Sequence, residues 1–251
     1  MFRTLTGVLS GKSVLLAARL KRRQSLRAKL KRLVSIKLSQ VADIIGFRVI
    51  CQSVADSRAV VAEIDRLGLP TKTRYHDPAP SGYRATHLEV QVDHELPSGR
   101  AMTFAIEVQI RTYYQHLWAM RSEAFGEQVK MGGGRPQQRD YLDRLSTAIG
   151  TWEAENPDTI QQRLPTLGPS GGIAVVRQMP IGGQPLVEQF GLDSNEAADQ
   201  LVEWEELTLG DTLFLAHSGS IDTIKTSHSF YVMGERLGVV LEPWMPQWGA
   251  R

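Results

Sequence analysis

Between Met102 and Arg111 apolar and polar side chains alternate. Met102, Phe104, Ile106, Val108 and Ile110 fall on one face of an extended segment, and Glu107, Gln109 and Arg111 on the other. The pattern predicts a half-buried strand over Met102–Thr112. Thr86–Val92 alternates in the same way with Leu88, Val90 and Val92 inward, and the intervening Pro97, Ser98 and Gly99 make a hairpin of the two. Val41–Cys51 reads as a buried strand with Asp43 near its start and Arg48 five residues on. Ala55–Leu67 is patterned as an amphipathic helix closed by Gly68. Lys72–Ser81, punctuated by Pro78 and Pro80, is expected as a loop. Tyr113–Val129 and Gln138–Glu155 read as helices separated at Gly132–Gly134.

From Arg19 onward Lys21, Ser25, Lys29 and Arg32 recur at helical spacing, beside an apolar stripe of Leu26, Leu30 and Leu33. Two lysines, a hydroxyl and an arginine in line would cradle a polyphosphate; in isolation the same spacing also describes a solvated basic face. Pro157–Gly172 is rich in proline and glycine and reads as a linker. Beyond it, Ile173–Met179 and Leu186–Phe190 form an expected strand pair joined through Gly182-Gly183. A helix over Asn195–Leu207 capped by Ser194 and a strand over Thr212–Ala216 follow. Ile221–Thr226 is expected as a short helix before Phe230–Met233, with Trp244 and Trp248 near the end. The expected organisation is a first domain over residues 1–155, a linker over 156–172 and a small α+β appendage over 173–251.

The 251 residues carry a net charge of only +2, but eleven cations precede the first acidic residue, Asp43, and the remainder holds eighteen basic against twenty-seven acidic side chains. A basic arm on an acidic body points to a polyanionic partner. An Arg-rich, acid-free start also suits a transit peptide, a reading the patterned segment after Ala18 argues against. No apolar run reaches the roughly 18 residues of a membrane span, so a soluble, cytoplasmic protein without membrane contact is expected. Cys51, the single cysteine, sits in the apolar run Phe47–Cys51 and reads as a buried thiol. Six scattered histidines match no zinc pattern. Gly11-Lys12-Ser13 is no phosphate-binding loop, because Thr6 stands where its first glycine belongs. His76-Asp77 lacks the partners a metal phosphohydrolase needs.

Four ordered motifs carry a resemblance: Arg19-x-Lys21-x-x-x-Ser25-x-x-x-Lys29-Leu30; Asp43-Ile44-Ile45-Gly46-Phe47-Arg48; Ser81-Gly82-Tyr83-Arg84-Ala85-Thr86-His87; and Glu107-x-Gln109-Ile110-Arg111-Thr112-x-x-Gln115-His116-x-Trp118-Ala119. Over about Arg19–Glu155 the chain resembles the RelA/SpoT synthetase family, in its stand-alone small alarmone synthetase form. The resemblance implies an α+β fold with a nucleotidyltransferase-like mixed sheet flanked by helices, and pyrophosphate transfer from ATP to the 3′-hydroxyl of GDP or GTP. Mapped onto this sequence, Arg19 and Arg48 would sandwich adenine, and Lys21, Ser25, Lys29 and Arg32 would hold the ATP phosphates. Asp43 and Glu107 would ligate Mg²⁺, and Glu107 would also take the proton from the acceptor hydroxyl. Tyr83 would stack on the acceptor base with His87 nearby, while Gln109 and Arg111 organise the strand face.

The acceptor loop departs from the family pattern. It reads Lys72-Thr73-Arg74 and Pro78-Ala79, so the cation expected at Ala79 is missing and Lys72, Arg74 and Arg84 are the substitutes at hand. Acceptor identity thus stays open between GDP or GTP and the choices of toxic relatives, the tRNA 3′ end or an adenosine nucleotide. A silent nucleotide- or RNA-binding module is a third reading, which the two carboxylates Asp43 and Glu107 argue against. A homo-oligomer and a neutralising or regulatory partner are compatible with the pattern.

Overall fold

The computed structural model describes residues 1–21, 23–32, 41, 43–95, 98–124, 136–168, 172–178, 186–190, 194–207 and 212–218. The elements run α1 (Phe2–Leu9), β1 (Val14–Leu20), α2 (Arg23–Arg32), β2 (Ile45–Cys51), α3 (Val54–Asp65), β3 (Thr71–His76), β4 (Ala85–Glu95), β5 (Ala101–Thr112), α4 (Tyr113–Ala124), α5 (Pro136–Glu155), β6 (Gly172–Gln178), β7 (Leu186–Gln189), α6 (Ser194–Leu207) and β8 (Thr212–Ser218). The strands form one mixed sheet in the order β3-β4-β5-β2-β1-β8-β6-β7. β2 and β5 run parallel, and the other pairs are antiparallel. The fold is α+β, a mixed sheet flanked by helices.

Alternation decides which face is dry. Val14, Leu16 and Ala18 of β1, Phe47, Val49 and Cys51 of β2, Leu88 and Val90 of β4, and Ile106, Val108 and Ile110 of β5 share one face. Leu5 and Leu9 of α1 and Val60 and Ile64 of α3 close over it. Burial pushes the Cys51 thiol far above its ordinary range, which removes it as a nucleophile. On the opposite face α4 and α5 cover only one end, through Leu117, Trp118, Met120, Leu142 and Ile149. The rest of that face holds the polar residues.

Several expected boundaries move. Residues 72–76, expected within a loop, belong to the edge strand β3, because Thr71, Thr73 and Tyr75 alternate with Lys72, Arg74 and His76 and pair with β4; the prolines act only from Pro78 onward. Arg19 lies in β1 and Lys21 between β1 and α2, so the basic residues are not on one helix: its first members sit at the end of a strand. β2 begins at Ile45, leaving Asp43 in the turn before it. Residues 157–168, expected as linker, are fastened to the body. Pro157 O accepts from Ala55 N (2.9 Å), Leu167 N donates to Lys12 O (2.8 Å), and Leu167 enters the core. The strands that follow join the same sheet, β8 pairing with Ala17 and Ala18 of β1. Gly132–Gly134, Ile221–Thr226, Phe230–Met233, Trp244 and Trp248 lie outside the described residues.

Candidate active site

Strand register assembles the site. Arg19, Gly46, Glu107, Glu89 and Lys72 are successive cross-strand partners on β1, β2, β5, β4 and β3, and Ala17, Arg48, Gln109, His87 and Arg74 form the next row. Cross-strand partners point to the same side of a sheet. β2, β5, β4 and β3 therefore deliver polar residues to one face. The cleft over it is lined by Lys29, Asp43, Lys72, Arg74, His87, Glu89 and Glu107.

Glu107 stands at its centre within a closed ring of side chains. His87 Nδ1 lies 2.9 Å from Glu107 Oε1, and Gln109 Nε2 donates to Glu107 Oε2 at 2.8 Å. Arg111 Nη2 donates to Gln109 Oε1 (2.8 Å), and its Nη2 and Nε both donate to the Tyr83 hydroxyl (2.8 and 3.1 Å). Tyr83 OH and His87 Nε2 are 2.8 Å apart. Arg111 can only donate and the Glu107 carboxylate only accept. With two N–H groups already on its oxygen, Tyr83 turns its own hydrogen to His87 Nε2, and His87 presents Nδ1–H to Glu107. Two polarised arms thus run from the guanidinium to the carboxylate, one through Gln109 and one through Tyr83 and His87. Arg111, only 4% exposed, has its charge balanced through these dipoles, with its Cζ 5.0 Å above the Tyr83 ring.

Burial opposes ionisation of Glu107, but its contacts with His87 and the Gln109 amide outweigh it, so this carboxyl titrates below its ordinary range. Asp43 behaves alike: burial raises it, and Lys21 (2.6 Å) and Lys29 (2.7 Å) pull it down further than burial lifts it. His76 is lowered by burial and by neighbouring His87, whose ring it meets edge-on at 4.7 Å. At neutral pH Asp43 and Glu107 are ionised in the cleft, which Glu89 also lines, with Lys21 and Lys29 on one side and Lys72 and Arg74 on the other.

The structure therefore brings together Lys21, Lys29, Asp43, Lys72, Arg74, His87 and Glu107 around one cleft, with Gln109, Arg111 and Tyr83 bonded behind it. Arg48 is half-buried on the same face, beside Gln109. Arg32 is exposed at the end of α2 and does not line the cleft. The side chains of Arg19 and Ser25 are not among those described. Arg84 is directed elsewhere: its Nε donates to Ser146 O and Oγ of α5 (3.1 and 3.2 Å) and its Nη1 to Asp77. Glu89, unmarked in the sequence reading, faces Glu107 across the strands and pairs with Arg74 at 3.2 Å. The alternation of His87 and Glu89 against Leu88 and Val90 was the signal that could have found it.

Asp43 and Glu107 suit a hard divalent cation. Magnesium takes one or two carboxylates and completes its oxygen shell with water and substrate phosphate, and two carboxylates in one cleft are such a donor set. No group of three or more metal-ligating side chains occurs among the described residues.

Residues 18–125 match the family model described as the region found in RelA / SpoT proteins. A protein of Mycobacterium tuberculosis (strain ATCC 25618 / H37Rv), itself described as uncharacterized, is 31% identical over 137 residues, 51% of this chain and 46% of the relative. The chain spans about half the length of the curated relatives it matches. Among solved structures, small alarmone synthetase 2 from Bacillus subtilis superposes with a TM-score of 0.52 at 24% identity, over 61% of this chain and 85% of that one. A GTP pyrophosphokinase family protein from Streptococcus pneumoniae gives 0.50 at 25% identity, over 58% and 76%. Residues 18–125 thus resemble the region found in RelA / SpoT proteins, and over 61% of the chain the α+β fold is that of small alarmone synthetase 2.

Proposed function

We propose that the chain is an ATP-dependent pyrophosphokinase that transfers the terminal pyrophosphoryl group of ATP to the 3′-hydroxyl of GDP or GTP. The observation that carries the proposal is the cleft itself, with Glu107 ionised between two separate cationic flanks. One flank suits the donor phosphates and the other an acceptor nucleotide. The solved structure named as a GTP pyrophosphokinase family protein supports the same reaction class.

Transfer breaks the bond between the α,β-bridging oxygen and the β-phosphorus of ATP, forms a bond from the acceptor 3′-oxygen to that phosphorus, and releases AMP. Such a reaction needs alignment and charge stabilisation more than a strong base. Lys21 and Lys29 would hold the ATP phosphates, a task that frees Asp43 from its two lysines. Tyr83 would stack on the acceptor base, and Lys72 and Arg74 would meet the acceptor's phosphates. Glu107 would receive the 3′-hydroxyl proton; its depressed pKa keeps it available as an acceptor down to mildly acidic pH. Bound magnesium, held by Asp43 and Glu107, would supply positive charge at the transferring group.

One observation favours a second reading of the acceptor. Ala79 offers no cation and Arg84 is engaged with α5, so the loop around Tyr83 contributes less positive charge than the family pattern, which suits an acceptor gripped elsewhere, such as an adenosine nucleotide or the tRNA 3′ end. Incubation with γ-labelled ATP and Mg²⁺ against GDP, GTP, AMP, ATP and deacylated tRNA in parallel separates the two. Label on guanosine nucleotides is expected. Label confined to tRNA or adenosine products would replace the first reading with the second, and no labelled product with any acceptor would reject both.

A further inference from the structure

Arg84 immediately follows the tyrosine assigned to the acceptor, yet its guanidinium is turned away from the cleft. Its side chain is 13% exposed, bonded to Ser146 O and Oγ on α5 and to Asp77 at the other end of the same loop. Ser146 Oγ in turn donates to Gly82 O at 2.6 Å. The loop is closed on itself by Ala79 N to Tyr83 O and Gly82 N to Ala79 O, both 2.8 Å. Gly82 has φ +84°, and a Cβ there would stand 3.1 Å from Trp118 Cζ2 and 3.3 Å from Asp143 Oδ1. Loop and helix are in close contact along this line.

The helix is shaped for the arginine. Gly150 lies in the middle of α5, where glycine is disfavoured against alanine. A Cβ at Gly150 would stand 2.4 Å from Arg84 Cζ and Nη2. Real atoms do not approach so closely, so the guanidinium occupies a notch that only glycine leaves open. α5 also grips the far end of the site's central strand, where Glu153, 6% exposed, accepts from Gln115 Nε2 (2.8 Å) and from the Thr112 hydroxyl, one residue beyond Arg111.

We propose that Arg84 is a positioning residue: seated in the Gly150 notch, it locks the 77–84 loop to α5 and so fixes the Tyr83 ring for the acceptor. The acceptor role rests on the synthetase reading; the latch itself does not. Arg84 therefore touches no substrate. Its guanidinium sets where Tyr83 stands, and Tyr83 meets both the acceptor and the Arg111 to His87 arm of the ring.

Four proteins test this: wild type, Arg84→Ala, Gly150→Ala and the double variant. Gly150→Ala should leave α5 helical by circular dichroism, since alanine favours the helix and the group it displaces is the end of a flexible side chain. It should nevertheless raise the acceptor KM roughly tenfold, the scale of losing hydrogen bonds to a charged group, with the ATP KM unchanged. Amide exchange at Ala79 and Gly82, measured without nucleotide, should quicken in Gly150→Ala as it does in Arg84→Ala. The double variant should be no worse than Arg84→Ala alone, because no guanidinium remains to be displaced. Unchanged exchange at Ala79 and Gly82 in Gly150→Ala, or effects that add in the double variant, would overturn the latch. A wild type without turnover would instead reject the synthetase reading, and the exchange measurement would still decide the latch.

Discussion

Exchanging Glu107 for glutamine changes no volume but breaks the direction of the ring. In the native ring every hydrogen bond runs from Arg111 towards Glu107, which accepts from His87 at 2.9 Å and from Gln109 at 2.8 Å. A glutamine there can accept one of these bonds, but its amide nitrogen then faces the other donor. Flipping Gln109 moves the conflict to Arg111, and shifting the His87 proton to Nε2 moves it to Tyr83. One donor–donor contact is therefore unavoidable. The side chains at the conflict are partly exposed, His87 by 17% and Glu107 by 23%, so the unpaired group costs at most about 1–3 kcal/mol. At roughly 2–4 °C per kcal/mol for a chain of this size, Glu107→Gln should lower the melting temperature by about 2–12 °C at pH 7. Adding Gln109→Glu should restore it: the carboxylate now at position 109 accepts from Arg111 and from the new amide at 107, and the carbonyl oxygen at 107 accepts from His87. The rescued protein should still transfer no pyrophosphate, because the carboxylate proposed to accept the proton and hold the metal has moved one row along the sheet. Calorimetry on the single and paired variants, alongside a turnover assay, checks both halves. A single variant as stable as wild type, or a paired variant that melts with the single one, would refute the directional ring; activity in the paired variant would refute the placement of the chemistry at Glu107.

Tyr83→Phe removes the oxygen that takes two Arg111 N–H groups while keeping the ring, so stability should fall by about 1–3 kcal/mol in a denaturation curve with little change in acceptor KM, whereas Tyr83→Ala should raise that KM. Equal effects of the two on acceptor binding would discount stacking. Lys29→Ala leaves Asp43 with Lys21 alone and should raise the ATP KM by about tenfold, with a weaker salt dependence than wild type; an unchanged KM would take Lys29 out of the donor site. The folded-state pKa values of Glu107 and Asp43 both lie below their ordinary 4.5 and 3.8. Their stabilising contribution is therefore complete above those unfolded values and is lost as pH falls through the lower folded ones. Melting temperature should decline below about pH 4.5 in wild type and less steeply in the Glu107→Gln, Asp43→Asn double variant; equal slopes would contradict the assignment.

Much of the centre of the site was legible because it rests on period two. The alternation of Met102–Arg111 placed Glu107, Gln109 and Arg111 in a row, and the hydrogen bonds follow that row. β3 was not legible. Its alternation covers only six residues, lies at a sheet edge with Tyr75 72% exposed, and abuts two prolines that speak for a loop. The partnership of Glu89 with Glu107 depends on register, which one strand's sequence does not contain. Arg84 illustrates the same limit for a charge: in the sequence it is a spare cation beside Tyr83, and only the packing of α5 shows a notch at Gly150, more than sixty residues away. The stretch 157–168 has the composition of a linker, yet Leu164 and Leu167 are buried and its backbone is bonded to α1, β1 and α3 surroundings, contacts that composition does not reveal.

Phosphorus NMR on the wild-type protein with Mg²⁺, ATP and GDP tests the central claim most directly, because it identifies which bond of ATP is broken. One AMP is expected for each 3′-pyrophosphorylated guanosine nucleotide formed, and neither species in Glu107→Gln. Formation of ADP in place of AMP, or AMP and product continuing at the wild-type rate in Glu107→Gln, would contradict it.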